Sequence, residues 1–254
     1  MTSTEQVRIN KFLSEAGVCS RREADRQIAE GQVTIDGRIA VAGDKVSEGQ
    51  TVYYMGKPVN KEEERILIMF HKPVGIVCTT EKREKNNVIR YLNFPKRIYP
   101  VGRLDKDSDG LLLLTNDGEM ANKMMRARNM HEKEYLVTVN KPVTETFLRG
   151  MAGGVPLVEL NTVTRKCEVQ KVGRNQFKIV LTQGLNRQIR RMCEYWGYRV
   201  EKLTRVRIMN LTLGDLPVGQ YRNVTKEELK ELDRLLRIPG QSRYPKAEGG
   251  RQKR

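Results

Sequence analysis

Apolar residues along the chain recur at helical spacing in short stretches, and between these the chain alternates in the manner of strands. Ile9, Phe12, Leu13 and Ala16 fall at i, i+3, i+4 and i+7, one face of a first helix that Gly17 stops. Ser20 followed by Glu23 is a capping box that opens a second helix, with Ala24 and Ile28 inward, Arg22 and Arg26 one turn apart on one face, and Gly31 at its end. Val33 and Ile35, the Asp36-Gly37 turn, then Ile39 and Val41 predict a β-hairpin, and Val46 and Val52 add strand positions. Residues 1–55 therefore form a small module of two helices and a sheet. Residues 56–65, GKPVNKEEER, have no apolar periodicity and are expected to be a linker to a second domain over residues 66–237.

That domain opens with Ile66 to Phe70, a continuous apolar run of strand length that empties into His71-Lys72-Pro73-Val74-Gly75. Next comes GRLDKDSDGLL at residues 102–112, followed by an apolar strand and the Asn116-Asp117-Gly118 turn. In HEKEYLV, Tyr135, Val137 and Val139 share one side of a strand. Phe177, Ile179 and Leu181 face inward on another, which leads through Thr182-Gln183-Gly184 to a helix with Asn186 as its expected N-cap. Ile189, Met192, Cys193 and Trp196 make that helix's apolar stripe, and Gly197 closes it. Arg187, Arg190 and Arg191 lie off the stripe at its start. Cations there oppose the helix dipole, so they call for a negative partner, either RNA phosphate or a catalytic carboxylate. Residues 238–254 combine Pro, Gly and basic residues without apolar pattern and are expected to be a disordered basic tail.

The 254 residues carry 47 Lys and Arg against 31 Asp and Glu, a net charge of +16. Such an excess favours a polyanionic partner, nucleic acid first. It is zero over residues 1–60, +4 over 61–130, +8 over 131–239 and +4 over 240–254, so positive potential grows towards the C-terminal half. The apolar runs are too short to span a bilayer, and the first residues show no basic stretch followed by an apolar run, which points to a cytoplasmic protein that meets no membrane.

Four scattered cysteines, Cys19, Cys78, Cys167 and Cys193, and two histidines exclude zinc fingers and suggest reduced structural thiols. Asp105, Asp107, Asp109 and Gly110 match the first half of a calcium loop, but Asn116 stands where a bidentate Glu is required. No metal is expected. His131-Glu132 with Tyr135 in the fifth position breaks the zinc-protease motif. Taken alone, Asp105 is also a turn aspartate capping local amides, and HKPVG a turn after a core strand.

The N-terminal string RINKFLSEAGVCSRREADRQIAEGQVTIDGR resembles the S4 RNA-binding domain. That resemblance implies RNA-backbone contacts for Arg8, Lys11, Arg21, Arg22 and Arg26. Followed in order by HKPVG, GRLDKDSDGL, HEKEYLV and QGLNRQIRRM, it resembles the RsuA/RluB/RluE/RluF family of ribosomal RNA pseudouridine synthases, and several strings look most like the RluF branch, which acts on large-subunit (23S) RNA. The fold implied is α+β, a small S4 domain followed by a catalytic domain with a mixed, largely antiparallel sheet. The activity implied is isomerisation of uridine to pseudouridine. This breaks the N1 glycosidic bond, turns the base and rejoins it through C5, with no redox change, so no cofactor is expected.

By the same resemblance Asp105 is the catalytic carboxylate, acting as nucleophile on the sugar or as base towards a glycal. Arg190 is expected to pair with Asp105, and Tyr135 to stack on the target base. Lys72 and Pro73 would form the pocket floor, Arg103 would hold the flipped nucleotide, and Arg187 and Arg191 would bind substrate. Two positions depart from the usual pattern: His71 stands where Asn is common, and Asp109, expected to face solvent, where an uncharged residue is usual. The expected partner is ribosomal RNA, 23S before others, with tRNA as a second substrate to test. A monomer is expected, since one S4 module and one catalytic domain already make a complete binding surface. A non-catalytic S4-type assembly factor, or a metal-dependent hydrolase using the aspartate cluster, are the competing readings.

Overall fold

The computed structural model describes residues 6–60, 64–81, 83–126 and 129–237. The tail at 238–254 and linker residues 61–63 lie outside them. In the first module β1 (Val7–Arg8) leads into α1 (Ile9–Glu15), which buries Ile9 and Leu13. The Ser20 hydroxyl accepts from the Glu23 amide at 3.2 Å and starts α2 (Arg21–Ala29), whose Ala24 and Ile28 face the same core. β2 (Val33–Ile35) and β3 (Arg38–Ile39) are joined by Asp36 and Gly37, both at positive φ, as a tight hairpin requires. β4 (Lys45–Val46) pairs with β1, while β5 (Val52–Tyr54) and β6 (Lys57–Pro58) complete a four-stranded sheet in the order β3-β2-β5-β6.

The expected hairpin forms, with Ile39 on the outer-edge strand β3 and Val41 beyond it 59% and 57% exposed. The module does not end at residue 55, since β6 pairs with β5 and Val59 packs into the same core. At the other end of the expected linker, Arg65 belongs to the second domain, where its guanidinium meets Asp117 and Asp233.

The second domain is built from β7 (Leu67–Lys72), α3 (Val88–Leu92), β8 (Tyr99–Pro100), β9 (Asp109–Thr115) and α4 (Gly118–Met125). β10 (Lys133–Val139) and α5 (Glu145–Gly153) follow, then a small flap of β11 (Pro156–Leu157) and β12 (Thr162–Val163). β13 (Glu168–Gly173), β14 (Gln176–Leu181), α6 (Gln188–Tyr195), β15 (Val200–Ile208), β16 (Leu211–Thr212), β17 (Tyr221–Asn223) and α7 (Lys226–Arg237) complete it.

The main sheet runs β13-β14-β10-β15-β9-β7-β17, with β16 on β15 and β8 on β9. Its pairings are antiparallel except β9 with β15, so the sheet is mixed and largely antiparallel. α5 and α6 cover β10 and β14, and α3 covers Ile68, Phe70, Leu112 and Leu114. Tyr135 packs against both clusters and joins them. Leu67, Met69, Leu111 and Leu113 alternate to the other face, under α4 and α7. The four leucines of β9 are thus fully buried, two on each face, each contributing roughly 1.5–3 kcal/mol by leaving water.

The parallel seam between β9 and β15 sets the position of the site. Gly110 pairs with Arg205 across it, and a Cβ there would sit 2.4 Å from the Arg205 carbonyl oxygen. Only glycine lets β9 approach β15 this closely at φ +110°. No helix among the described residues is long and apolar enough to cross a membrane.

Candidate active site

The loop between β8 and β9 carries Asp105, and its backbone is held from β15, from α6, from the segment after β7 and from within the loop itself. Arg205 on β15 donates from Nη1 to the Arg103 carbonyl (3.3 Å) and from Nε to Leu111 O (2.7 Å). The Ser108 amide closes a turn onto Asp105 O (3.1 Å), the Gly75 amide donates to Lys106 O (2.7 Å), and Arg190 Nη2 donates to Asp107 O (2.9 Å). Leu104 is buried, its amide directed at Cys78 Sγ (3.4 Å). Five successive loop positions, 103–107, are fixed in this way, while among the described residues the half-exposed Asp105 carboxylate meets a cation only at Arg187, 3.9 Å away. A carboxylate held through its backbone, with its oxygens left open, is prepared to meet a substrate.

Arg190 does not pair with Asp105, which corrects the sequence expectation. α6 begins at Gln188, with Arg187 as its cap in the left-handed region (φ 49°) and no side-chain cap. From the first turn Arg190 reaches the Asp107 carbonyl, the Ser108 hydroxyl (3.3 Å) and the Asp107 carboxylate (3.4 Å). The cap position sends Arg187 over the loop instead, to Asp107 at 3.2 Å and Asp105 at 3.9 Å. Burial works against the Asp107 charge, but its bond to Arg187 and the charges of Arg190 and Arg187 outweigh that and hold it below the usual carboxylate range. Asn186 is therefore not the N-cap. Its carbonyl and side-chain oxygen accept from Arg191, whose guanidinium also meets Glu159, so Arg191 is spent away from the catalytic loop.

Lys72 is fully buried, with Nζ donating to the Pro73 carbonyl at 2.7 Å. Burial lowers its pKa, while Cys78, Asp109, Asp107 and Asp105 pull in the opposite direction. His71 alternates to the other face, its Nδ1 2.7 Å from Leu216 O, so this departure leaves the Lys72 side untouched. Asp109 is buried rather than solvent-facing. Its Oδ1 accepts from the Thr204 hydroxyl at 2.5 Å across the parallel seam, with Lys202 at 3.8 Å. Arg103 is exposed, and its side chain has no polar partner among the described residues.

Sequence reasoning missed two cations. Arg205 lies directly opposite Tyr135 and is 3% exposed; Lys133 shares the Tyr135 side of β10, and burial, with Arg205 nearby, lowers its pKa to about 8. The signal for both was a charge at an inward position of an alternating strand.

Residues 66–195 match the RNA pseudouridylate synthase family and residues 7–52 the S4 domain family. The chain belongs to the RNA pseudouridine synthase family. It is 51% identical over 249 residues to the dual-specificity RNA pseudouridine synthase RluF of Escherichia coli K12, covering 97% of this chain and 85% of that protein. It is 35% identical over 235 residues to the ribosomal large subunit pseudouridine synthase B of Bacillus subtilis, covering 90% and 96%. A crystal structure of a pseudouridylate synthase superposes with TM-score 0.65 at 29% identity, covering 89% of this chain and 99% of that one.

In this synthase the S4 module offers two kinds of cation. Arg21 and Arg22 are exposed and have no carboxylate partner among the described residues, whereas Arg26 pairs with Glu23 and Lys11 with Glu15 (3.4 Å). Arg8 lies on β1 rather than on α1, and is also exposed. The synthase domain holds this module through Arg97, which donates to the Ser14 carbonyl (3.1 Å) and hydroxyl (3.2 Å) at the end of α1.

Proposed function

We propose that this pseudouridine synthase isomerises a uridine of ribosomal RNA, in the large subunit (23S), with Asp105 as the catalytic carboxylate. The observation that carries the assignment is the pairing of an open carboxylate with a loop whose backbone is fixed from β15, α6 and the Lys72-Pro73 turn. Asp105 attacks the sugar at C1′ and is displaced again when C5 bonds there, or it removes a ribose proton towards a glycal and returns that proton as C5 adds to C1′; in both routes the N1 bond breaks, the base turns, C5 joins C1′, the C5 proton leaves and N1 takes up a proton. Arg187 steadies the ionised Asp105, Tyr135 stacks on the extruded base, and Lys72 and Pro73 floor the pocket. Arg103, free at the loop's edge, holds the flipped nucleotide. Arg190 acts through the loop backbone rather than on Asp105.

The reaction belongs in the cytoplasm and to a single chain, with tRNA as a second substrate to be tested. The experiment is tritium release from C5-labelled uridine in transcribed large-subunit RNA. Wild type is expected to release tritium whether or not EDTA is present, while Asp105→Asn should lose at least about a thousandfold in turnover. Its RNA affinity should stay within about twofold, because the fold and the cations are untouched. Equal activity of the variant removes the assignment of Asp105; no release from any RNA favours a non-catalytic S4-type binding factor, and loss with chelator a metal-dependent hydrolase.

A further inference from the structure

Beside the Lys72-Pro73 turn, aromatic rings from distant parts of the chain gather at one corner of the sheet. Tyr221 on the edge strand β17 lies opposite Phe70. The Phe70 ring is 5.7 Å from that of Tyr91 on α3, and Phe94 meets Tyr221 edge-on at 5.5 Å. Phe70 is fully buried and serves as the base of the cluster, while Tyr91 and Tyr221 remain 46% and 43% exposed. Val74, next to Pro73, and Val218 add exposed apolar surface. The Tyr91 hydroxyl lies so close to Gly219 that a Cβ there would be 2.4 Å from it, so Tyr91 is seated against the backbone rather than waving in solvent.

The rim of this corner is basic. Arg83, Lys85 and Arg90 are exposed and have no carboxylate partner among the described residues; the nearby Glu84 carboxylate is engaged by the Asn86 amide at 3.0 Å. Buried Asn87 shapes the segment, capping α3 through the Arg90 amide (2.9 Å) and donating to Glu84 O (2.6 Å). The corner also has a fixed place between the two RNA-facing modules. On one side the Gly75 amide ties it to the catalytic loop at Lys106; on the other, the chain runs from Phe94 to Arg97, the residue that grips α1. Seated, half-exposed aromatic rings with unpaired cations around them suit a strand whose bases stack while its phosphates track the charge.

We propose that this aromatic and basic corner is a stacking platform for the unpaired nucleotides flanking the target uridine, a proposal that rests on the reading of the chain as an RNA isomerase. Tyr91 and Tyr221 present the π faces, and Arg90, Arg83 and Lys85 the phosphate contacts. The ligand is single-stranded RNA, not duplex, because a paired helix keeps its base faces inside the stack.

The test compares binding of a short fluorescein-labelled oligouridylate with binding of a mixed-sequence RNA duplex, both read by anisotropy. Tyr221→Ala and Tyr91→Leu should each weaken oligouridylate binding about tenfold and change duplex binding by less than about twofold. Tyr91→Phe and Tyr221→Phe, which keep the rings, should bind as wild type, and thermal unfolding of each variant separates lost stacking from lost fold. Arg90→Ala should lower the slope of log affinity against log salt by about 0.7 on the single strand. Equal losses on both probes, or no loss with either tyrosine variant, overturn the platform. Because binding is read without turnover, a protein that binds through the tyrosines but releases no tritium would end the isomerase assignment alone.

Discussion

Two helix starts in this molecule are crowded with arginines, and they use them in opposite ways. α2 opens with Arg21 and Arg22 behind the Ser20 cap, and both side chains stand in solvent without a carboxylate partner among the described residues. α6 opens with Arg187 as a left-handed cap residue that makes no side-chain capping bond and with Arg190 and Arg191 in its first turn, and all three are committed to Asp105, Asp107, Ser108 or Glu159. Both arrangements put positive charge where the helix dipole disfavours it. At α6 internal carboxylates compensate, so those cations are structural members of the site; at α2 compensation is left to whatever anion arrives from outside. An arginine-rich helix start is thus a binding surface or a scaffold according to what the fold places opposite it.

Removing Arg190 tests the scaffold side most severely. Arg190→Ala deletes a buried donor from Asp107 O and Ser108 Oγ, so the Asp105 loop loses one of its clamps. Turnover is expected to fall by about a hundredfold, and stability in urea by about 2 kcal/mol, the scale of a charged buried hydrogen bond. Arg190→Lys should recover little, because a point charge cannot reproduce the fork that holds two acceptors. RNA affinity should hardly move. If affinity drops while turnover at saturating RNA survives, Arg190 belongs with the α2 arginines and the contrast collapses.

The half-buried Lys133 sharpens the same comparison from inside the site. Its pKa is lowered to about 8 by burial and by Arg205, against 10.5 for the unfolded chain. Below pH 8 both states carry the proton and this residue adds no slope. Between pH 8 and 10.5 the unfolded state binds more protons, so stability contributed by Lys133 rises with pH, by about 2 kcal/mol between pH 8 and pH 10. Lys133→Met should lose that rise while becoming more stable at neutral pH. Denaturant melts of the two proteins at pH 7, 8, 9 and 10 measure it; parallel curves would show that Lys133 is solvated.

Much of this contrast was readable from the chain, and what was not has a common cause. Helix faces such as Ile9 and Leu13, the Ser20 cap and the Asp36-Gly37 turn are set by neighbours a few residues away, and they appear where the pattern places them. The apolar runs of β7 and β9 likewise announce strands buried on both faces. Asp105, Tyr135 and Lys72 were reached through motif resemblance and stand in one region of the fold. Partners across the sheet were not legible. The family resemblance pairs Arg190 with Asp105, but a start of α6 at Gln188 places the Arg190 guanidinium on Asp107 and Ser108 and gives the Asp105 contact to Arg187. Asp109, expected to face solvent, instead meets Thr204 across the parallel seam with β15, which no local signal announces.

The smallest expected effect lies on the binding side. Arg21→Ala and Arg22→Ala remove cations with no internal partner, so the fold should lose less than about 0.5 kcal/mol. What changes is the electrostatic share of RNA binding. Each phosphate contact contributes about 0.9 to the slope of log affinity against log salt on a duplex, so the double variant should lower that slope by about 2. Near physiological salt this amounts to a several-fold weaker complex, recovered at low salt, with turnover at saturating RNA unchanged. Arg26→Ala is the internal control: Arg26 is already paired with Glu23, and the loss of one cation frees one carboxylate beside the same surface. Its slope should change by a similar step while its affinity falls further, because the freed Glu23 then repels the backbone that Arg21 and Arg22 attract. A double variant whose salt slope matches wild type would show that RNA passes this helix by, and that the unpaired arginines of α2 are solvated charge and nothing more.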